Sequence, residues 1–250
     1  MFAIFQKEMR SYFISAVGYV YMGIFLAVSA LVCCYTTLFS KSYSTSLYFV
    51  ALIVAFIVLL PLLTMKLFAE EKKLRTEQLL LTAPVKITSM VLGKFFAALT
   101  MFAGSTLLSC INFIPLYIYG AAERASAEYE ALHIGPVTAQ IFGCLIGIFL
   151  LGASFLAIGL FVSSLCENQL SAAIITITIL LVTVVLFFIN TQQLINNAFM
   201  RTVIDWFSVL SRFQYFSAGM FDFAALIYYL SITFVFLFLT VRVYEKRRWG

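Results

Sequence analysis

"LFAEEKKLRTEQLLLTAPVK" runs from Leu67 to Lys86. Glu70, Glu71, Lys72, Lys73, Arg75 and Glu77 crowd into eight residues, while the whole chain is 63% hydrophobic and 11% charged. Leu79, Leu80 and Leu81 follow, then Pro84. Glu71 and Arg75 are four apart, as are Lys73 and Glu77. Opposite charges at that spacing support an exposed helix by roughly a few tenths of a kcal/mol per pair. A proline at 84 favours a helix end at or before Ala83. The stretch reads as a short helix with a charged face and a leucine face. A loop that only needed solvation would carry scattered lysines, not mixed signs, leucines and a proline stop.

Outward from this patch the chain turns apolar. Soluble domains are about a quarter charged, and no core hides this much apolar surface at 250 residues. The solvent for most of the chain is therefore lipid. Met1–Arg10 is polar and amphipathic, with no small-residue cleavage site after the first apolar run, unlike a cleaved signal. Cys33, Cys34, Cys110, Cys144 and Cys166 lie in or beside apolar runs without a CxxC pair, and read as buried small hydrophobes. His133 is the only histidine.

A spanning helix takes about 20 apolar residues. Six stretches qualify: Val17–Phe39, Leu47–Phe68, Met90–Tyr119, Pro136–Leu165, Leu170–Asn190 and Phe223–Tyr244. Pro136 suits a first helical position, and Pro61 is expected to kink the second span. One side of this arrangement receives Lys7, Arg10, Lys66, Lys72, Lys73, Arg75, Lys86, Lys94, Arg242, Lys246, Arg247 and Arg248. The other receives Lys41, Arg124, Arg201 and Arg212. The bias puts both termini in the cytoplasm, makes residues 69–89 a cytoplasmic loop, and accounts for the net charge of +5 without nucleic acid.

Phe2, Phe5, Met9, Tyr12, Phe13 and Ala16 recur at helical spacing, with Lys7, Glu8 and Arg10 pointing elsewhere and Ile4 as the exception. Residues 1–16 read as an interfacial helix on the cytoplasmic leaflet. Gly143, Gly147, Gly152 and Gly159 in the fourth span read as close helix packing inside the bundle. Residues 191–222 are too apolar for a free loop and too interrupted to span. One or two short helices dipping into the outer leaflet are expected, with Trp206, Phe207 and Phe213 shielded and a break at Ser217-Ala218-Gly219.

The spans hold no titratable group near their centres, which disfavours ion-coupled transport. Lys94 stands close enough to the cytoplasmic end to snorkel. GxSxG, HExxH and paired intramembrane aspartates are absent, which disfavours an intramembrane enzyme. So is GxxxxGK[ST]; "LGKFF" (Leu92–Phe96) lacks the glycine loop. No catalytic, metal or cofactor site is expected on this chain.

"AEEKKLRTEQLLLTAPVKITSMVLGKFFAAL" (Ala69–Leu99) resembles the loop of ABC-2 type ABC transporter permeases, which runs from paired glutamates through Thr-Glu-x-Leu-Leu to a proline and a Gly-Lys entering the third span. "LGASFLAIGLFVSSLCENQLSAA" (Leu151–Ala173) is similar to that family's fourth span and turn, and Ser211–Arg248 to its last segment. The short, six-span gliding-motility-type branch is the most similar. The resemblance covers nearly the whole chain and implies an all-α integral membrane protein: one permease domain over 1–250, six transmembrane helices, an N-terminal interfacial helix and short outer-face helices. It implies a bacterial plasma-membrane dimer of permeases, with this chain or a related one as second copy, driven by two cytoplasmic ATPase subunits that hold ATP and Mg. Glu70, Glu71, Arg75, Thr76, Glu77, Leu79, Leu80 and Pro84 then belong to a coupling helix seated in the ATPase. A substrate path would lie at the dimer interface, lined by spans two and five, with Thr64, Thr176, Thr183 and Asn190 as candidates. Members move lipids, polysaccharides, peptides or drugs, and the gliding-motility branch often works beside a large membrane-anchored subunit with an extracytoplasmic domain. The alternative is a permease-like subunit that transmits ATPase strokes without cargo.

Overall fold

A computed structural model of the chain describes residues 1–40, 43–78, 86–126, 135–192 and 198–249. Among these every regular element is helical. Helix α1 (Phe2–Ile14) precedes α2 (Ala16–Cys33), whose last turn over Cys34–Phe39 is π-helical. Next come α3 (Ser46–Lys73), α4 (Ile87–Ser109), a 3-10 turn at Cys110–Phe113 and α5 (Ile114–Ser126). The chain continues through α6 (Thr138–Leu165), α7 (Gln169–Thr191), short α8 (Ala198–Phe207) and α9 (Phe213–Ser217), and α10 (Phe223–Trp249). Among the described residues six helical stretches are long and apolar enough to cross a membrane: Ala16–Phe39, Ser46–Lys73, Ile87–Glu123, Thr138–Leu165, Gln169–Thr191 and Phe223–Arg248.

The six apolar stretches are the expected ones, with different ends. Apolar residues stop where water begins, but backbone hydrogen bonds do not, so α3 carries its helix five residues past Phe68 into the charged patch. Pro136 precedes α6 and is not its first residue; extended Val137 caps it instead. Pro61 sits inside a helix that continues on both sides. The third span is interrupted where Pro115 lacks an N–H and crowds the carbonyl of Ile111, and the chain tightens to 3-10 geometry there. Asn168 caps α7, its Oδ1 accepting the Leu170 N–H at 3.3 Å, a residue type suited to that position. Asp222 accepts the Ala224 N–H at 2.9 Å and starts α10 in the same way.

Helix α6 is the axis of the bundle, packed most extensively against α3 and α10. Lipid tails are as apolar as leucine, so helices associate through close contact rather than by escape from water. The glycines of α6 supply that closeness. A Cβ on Gly159 would stand 2.4 Å from Thr64 Oγ1 of α3, and one on Gly152 would stand 2.2 Å from the Phe102 ring of α4. On Gly147 it would meet Phe216 at 2.9 Å and Phe213 at 3.0 Å, and on Gly143 the Phe216 carbonyl at 3.3 Å. Gly143 and Gly147 thus form the seat of α9, whose Phe213 and Phe216 are fully buried.

The outer cap departs from expectation at one residue. Leu210, Phe213 and Phe216 are buried, but Trp206 is 67% exposed, together with Phe199 and Val203 on the same face of α8. The side chain of Phe207 lies outside the described residues. The spacing of Phe199, Val203 and Trp206 marks an amphipathic helix, and sequence alone does not say which way its apolar face turns.

Candidate functional site

Four elements, α1, α4, α6 and α10, converge on the charged end of α3. The helix closes with the Leu74 N–H on the Glu70 carbonyl (2.9 Å), the Arg75 N–H on that of Lys72 (3.0 Å) and the Thr76 N–H on that of Glu71 (2.9 Å). Arg75 takes a φ of +56°. This is the Schellman closure, which is usually built around glycine. Glu77 and Gln78 are helical again beyond the turn. The first charges of the patch therefore lie on the end of the second span, not on a separate helix. The turn at 74–76 takes Arg75 and Glu77 off the helix that carries Glu71 and Lys73. Leu79, Leu80 and Pro84 lie outside the described residues.

Glu71 pairs elsewhere. Its Oε1 stands 2.9 Å from Lys94 Nζ and 3.2 Å from Lys7 Nζ. Glu8 Oε1 stands 3.0 Å from Lys94 Nζ and 3.6 Å from Lys7 Nζ. Four charges thus alternate around a closed ring, two from α1, one from α3 and one from α4. The Lys94 side chain is 1% exposed. Its ammonium also donates to the Leu67 carbonyl at 2.6 Å and lies 5.0 Å from the centroid of the Phe68 ring. Three acceptors meet three donors, which a buried ammonium requires. Partial burial pulls the Lys7 ammonium down, but the Glu71 and Glu8 carboxylates together hold it above the usual lysine range.

Lys94 thus does more than snorkel, and the face that α1 turns to the bundle overlaps its apolar periodicity only in part. Glu8 and Tyr12 are buried, Ile4, Phe5 and Met9 pack on the core, and Phe2, Phe13 and Ile14 are the exposed residues. Ile4 lies against Gly93, where a Cβ would meet it at 3.2 Å. Tyr12 Oη donates to the Leu63 carbonyl of α3 at 3.0 Å. Burial pushes this phenol well above the usual tyrosine range, with Glu8 adding to the shift. The Gly-Lys of "LGKFF" therefore serves α1 twice: Gly93 lets the helix approach and Lys94 binds it.

The other side of α3 is stitched to α6 and α10. The N–H groups of Phe68 and Ala69 reach Ser163 Oγ at 3.3 and 3.2 Å. Lys72 Nζ donates to the Ser164 carbonyl at the end of α6, where helix carbonyls lack partners and a cation is favoured. Phe68 packs on the Tyr244 ring at 4.7 Å, and Arg247 Nη1 pairs with Glu77 Oε1 at 3.1 Å. Two polar pockets flank the turn. One of about 410 Å³ lies between α1 and Glu70, Glu71, Leu74 and Thr76. The other, of about 560 Å³, is bounded by Lys72, Lys73, Arg75, Glu77, Glu167 and Arg247.

The four path candidates bond within their own helix or to a neighbour rather than to one another. Thr64 is buried at the α3–α6 contact, its hydroxyl donating to the Leu60 carbonyl at 3.3 Å. Thr176 is buried with its hydroxyl on the Ala172 carbonyl (2.7 Å), and half-buried Thr183 donates to that of Leu180 (2.7 Å). Asn190 Nδ2 donates to Asp205 Oδ1 of α8 at 3.2 Å. Ser105, Thr106, Ser109 and Asn112 of the third span are polar residues that composition alone did not single out. Asn112 Nδ2 donates to Ser29 Oγ of α2 at 3.1 Å.

The family model described as "ABC-2 family transporter protein" matches residues 34–244, which takes in the α3 end, Lys94 and the outer cap but not α1. No curated protein matches the chain.

Proposed function

This chain belongs to the ABC-2 transporter family, and from that premise we propose that it is the permease subunit of an exporter driven by separate cytoplasmic ATPases. The ATPases hold ATP and Mg and dock on Glu70–Pro84. The permease works as a dimer in a bacterial plasma membrane with both termini inside, and its relatives of the gliding-motility type supply the nearest pattern. A large extracytoplasmic accessory subunit belongs to the same reading. One observation carries the docking assignment. The end of α3 touches α1, α4, α6 and α10 through hydrogen bonds, ion pairs or ring contacts, so a push on its turn reaches most of the bundle. Arg75 supports it. A non-glycine residue held left-handed costs about 1–2 kcal/mol, and such outliers cluster at functional sites.

Purification in mild detergent should bring down an ATPase with a Walker A motif. Substrate-dependent stimulation of its hydrolysis separates export from strokes transmitted without cargo. If no ATPase accompanies the intact permease, the assignment fails. For orientation, a cysteine placed at Ser126 or Asn196 should react with a membrane-impermeant thiol reagent in intact cells. Reaction only after lysis would invert the topology.

A further inference from the structure

We propose that the Lys7–Glu8–Glu71–Lys94 ring is a clutch that makes α1 a moving part of the coupling site, with Lys94 as its positioning residue; the coupling part of this rests on the function proposed above. Among the described residues no other charged group is as buried as Lys94, and the ring joins three elements far apart in sequence. Helix α1 has few other anchors to the end of α3. Its Tyr12 bond lies two turns nearer the membrane interior along α3, at Leu63, while Lys7 pairs directly with Glu71, which leads into the turn, and Glu8 reaches Glu71 through Lys94. A displacement of Glu71 must therefore either carry Lys94 and Glu8 with it or leave the buried ammonium with one carboxylate in place of two. Unpaired buried charge is strongly destabilising, whereas a neutral, well-packed replacement is often tolerated. The ring consequently favours joint movement of α1, the α3 end and the third span over movement of the turn alone.

That asymmetry separates a mechanical role from a structural one. Lys94→Met strands Glu8 and Glu71 with only exposed Lys7 between them. The triple variant Glu8→Gln, Glu71→Gln, Lys94→Met removes the stranded charges along with the link. Both are compared with wild type in lipid, alone and with the co-purified ATPase. Hydrogen exchange over Phe2–Ile14 should quicken at least about tenfold in Lys94→Met, a floor well below the roughly hundredfold or more that breaking a buried ion pair corresponds to. In the triple variant the protection of α3 and α6 should return. The permease-dependent change in ATP hydrolysis should nevertheless stay at least about fivefold below wild type, since neutral packing holds weakly where opposed charges held strongly.

Unchanged α1 exchange in Lys94→Met overturns the clutch. So does wild-type ATPase coupling in the triple variant, because the ring would then only fill space. Should wild type bring down no ATPase, the function proposed above falls, while the exchange measurement still decides whether the ring holds α1.

Discussion

Two helix ends in this molecule are closed by the same hydrogen bonds and different residues. At the outer side α9 ends with the Gly219 N–H on the Phe216 carbonyl and the Met220 N–H on that of Tyr215, both at 3.0 Å, with Gly219 at a φ of +76°. At the end of α3 the equivalent left-handed position is Arg75. Glycine is the low-strain solution, and the chain uses it where only shape is needed. The surroundings differ to match. The outer closure is itself exposed but stands on buried Phe213 and Phe216, with Tyr229 Oη on the Val209 carbonyl (2.7 Å) and Gln140 Nε2 on that of Ser217 (2.7 Å). The inner closure lies between two polar pockets, among ion pairs that reach three other helices. One end is finished within the chain, whereas the other, on the function proposed above, offers charge that a second protein can use.

The comparison breaks most easily at the leucines. Replacing Leu79 and Leu80 together by Ser should detach the ATPase while the permease remains inserted. Each buried leucine contributes about 1.5–3 kcal/mol, so the pair is worth on the order of a hundredfold or more in affinity. Exposed ion pairs are worth at most about 1 kcal/mol each. Undiminished co-purification would make this end a solvated loop, no more a docking surface than the outer one.

A second test asks whether the two ends share an axis. Gly152→Ala drives a methyl into the Phe102 ring, 2.2 Å away, and overpacking of this kind costs about 1–3 kcal/mol. Because α6 seats α9 outside and holds α3 inside, hydrogen exchange should quicken at both ends. Faster exchange confined to α4 would mean that the ends are independent.

Much of this molecule was legible before its structure. Six apolar runs gave six spanning helices, and Gly219 marked its own turn through the one residue type that is free at positive φ. The inner turn was not legible, because an arginine carries no signal for a left-handed conformation; Pro84, nine residues on, drew the boundary instead. The charge patch invited pairing at four-residue spacing, and Arg75 broke that spacing. Glu71 found Lys94 and Lys7 across the fold, and no local rule reaches 64 residues back to Lys7. The face of α1 was legible only in part, for a related reason. Its apolar periodicity assumes lipid on one side and water on the other, whereas its third neighbour is a helix bearing a buried ammonium. Trp206 shows the same limit, since periodicity gives a face but not what it meets.

The smallest effect is the most discriminating, because it exchanges the two closures. Gly219→Ala should destabilise the outer cap by about 1 kcal/mol, the usual cost of a Cβ at a left-handed position, since the nearest atom to that Cβ, Gln140 Cα, is an unobstructive 3.9 Å away. Arg75→Gly should do the reverse. Relief of the same strain offsets the entropy that glycine adds to the unfolded chain, roughly 0.5–1 kcal/mol, so α3 should end as stably as before or slightly more so. If shape were all the inner turn provides, Arg75→Gly would leave ATP-driven function intact. The expected result is different: unchanged or slower hydrogen exchange over Glu70–Gln78, together with weaker coupling to the ATPase. The loss should shrink when salt is raised in both proteins, as befits an exposed guanidinium that steers a partner. Arg75→Lys should keep the strain and only part of the function, because an ammonium lacks the planar fork of donors. A glycine variant that is both better ordered and fully coupled would show that Arg75 is tolerated rather than used, and the two closures would differ only in residue.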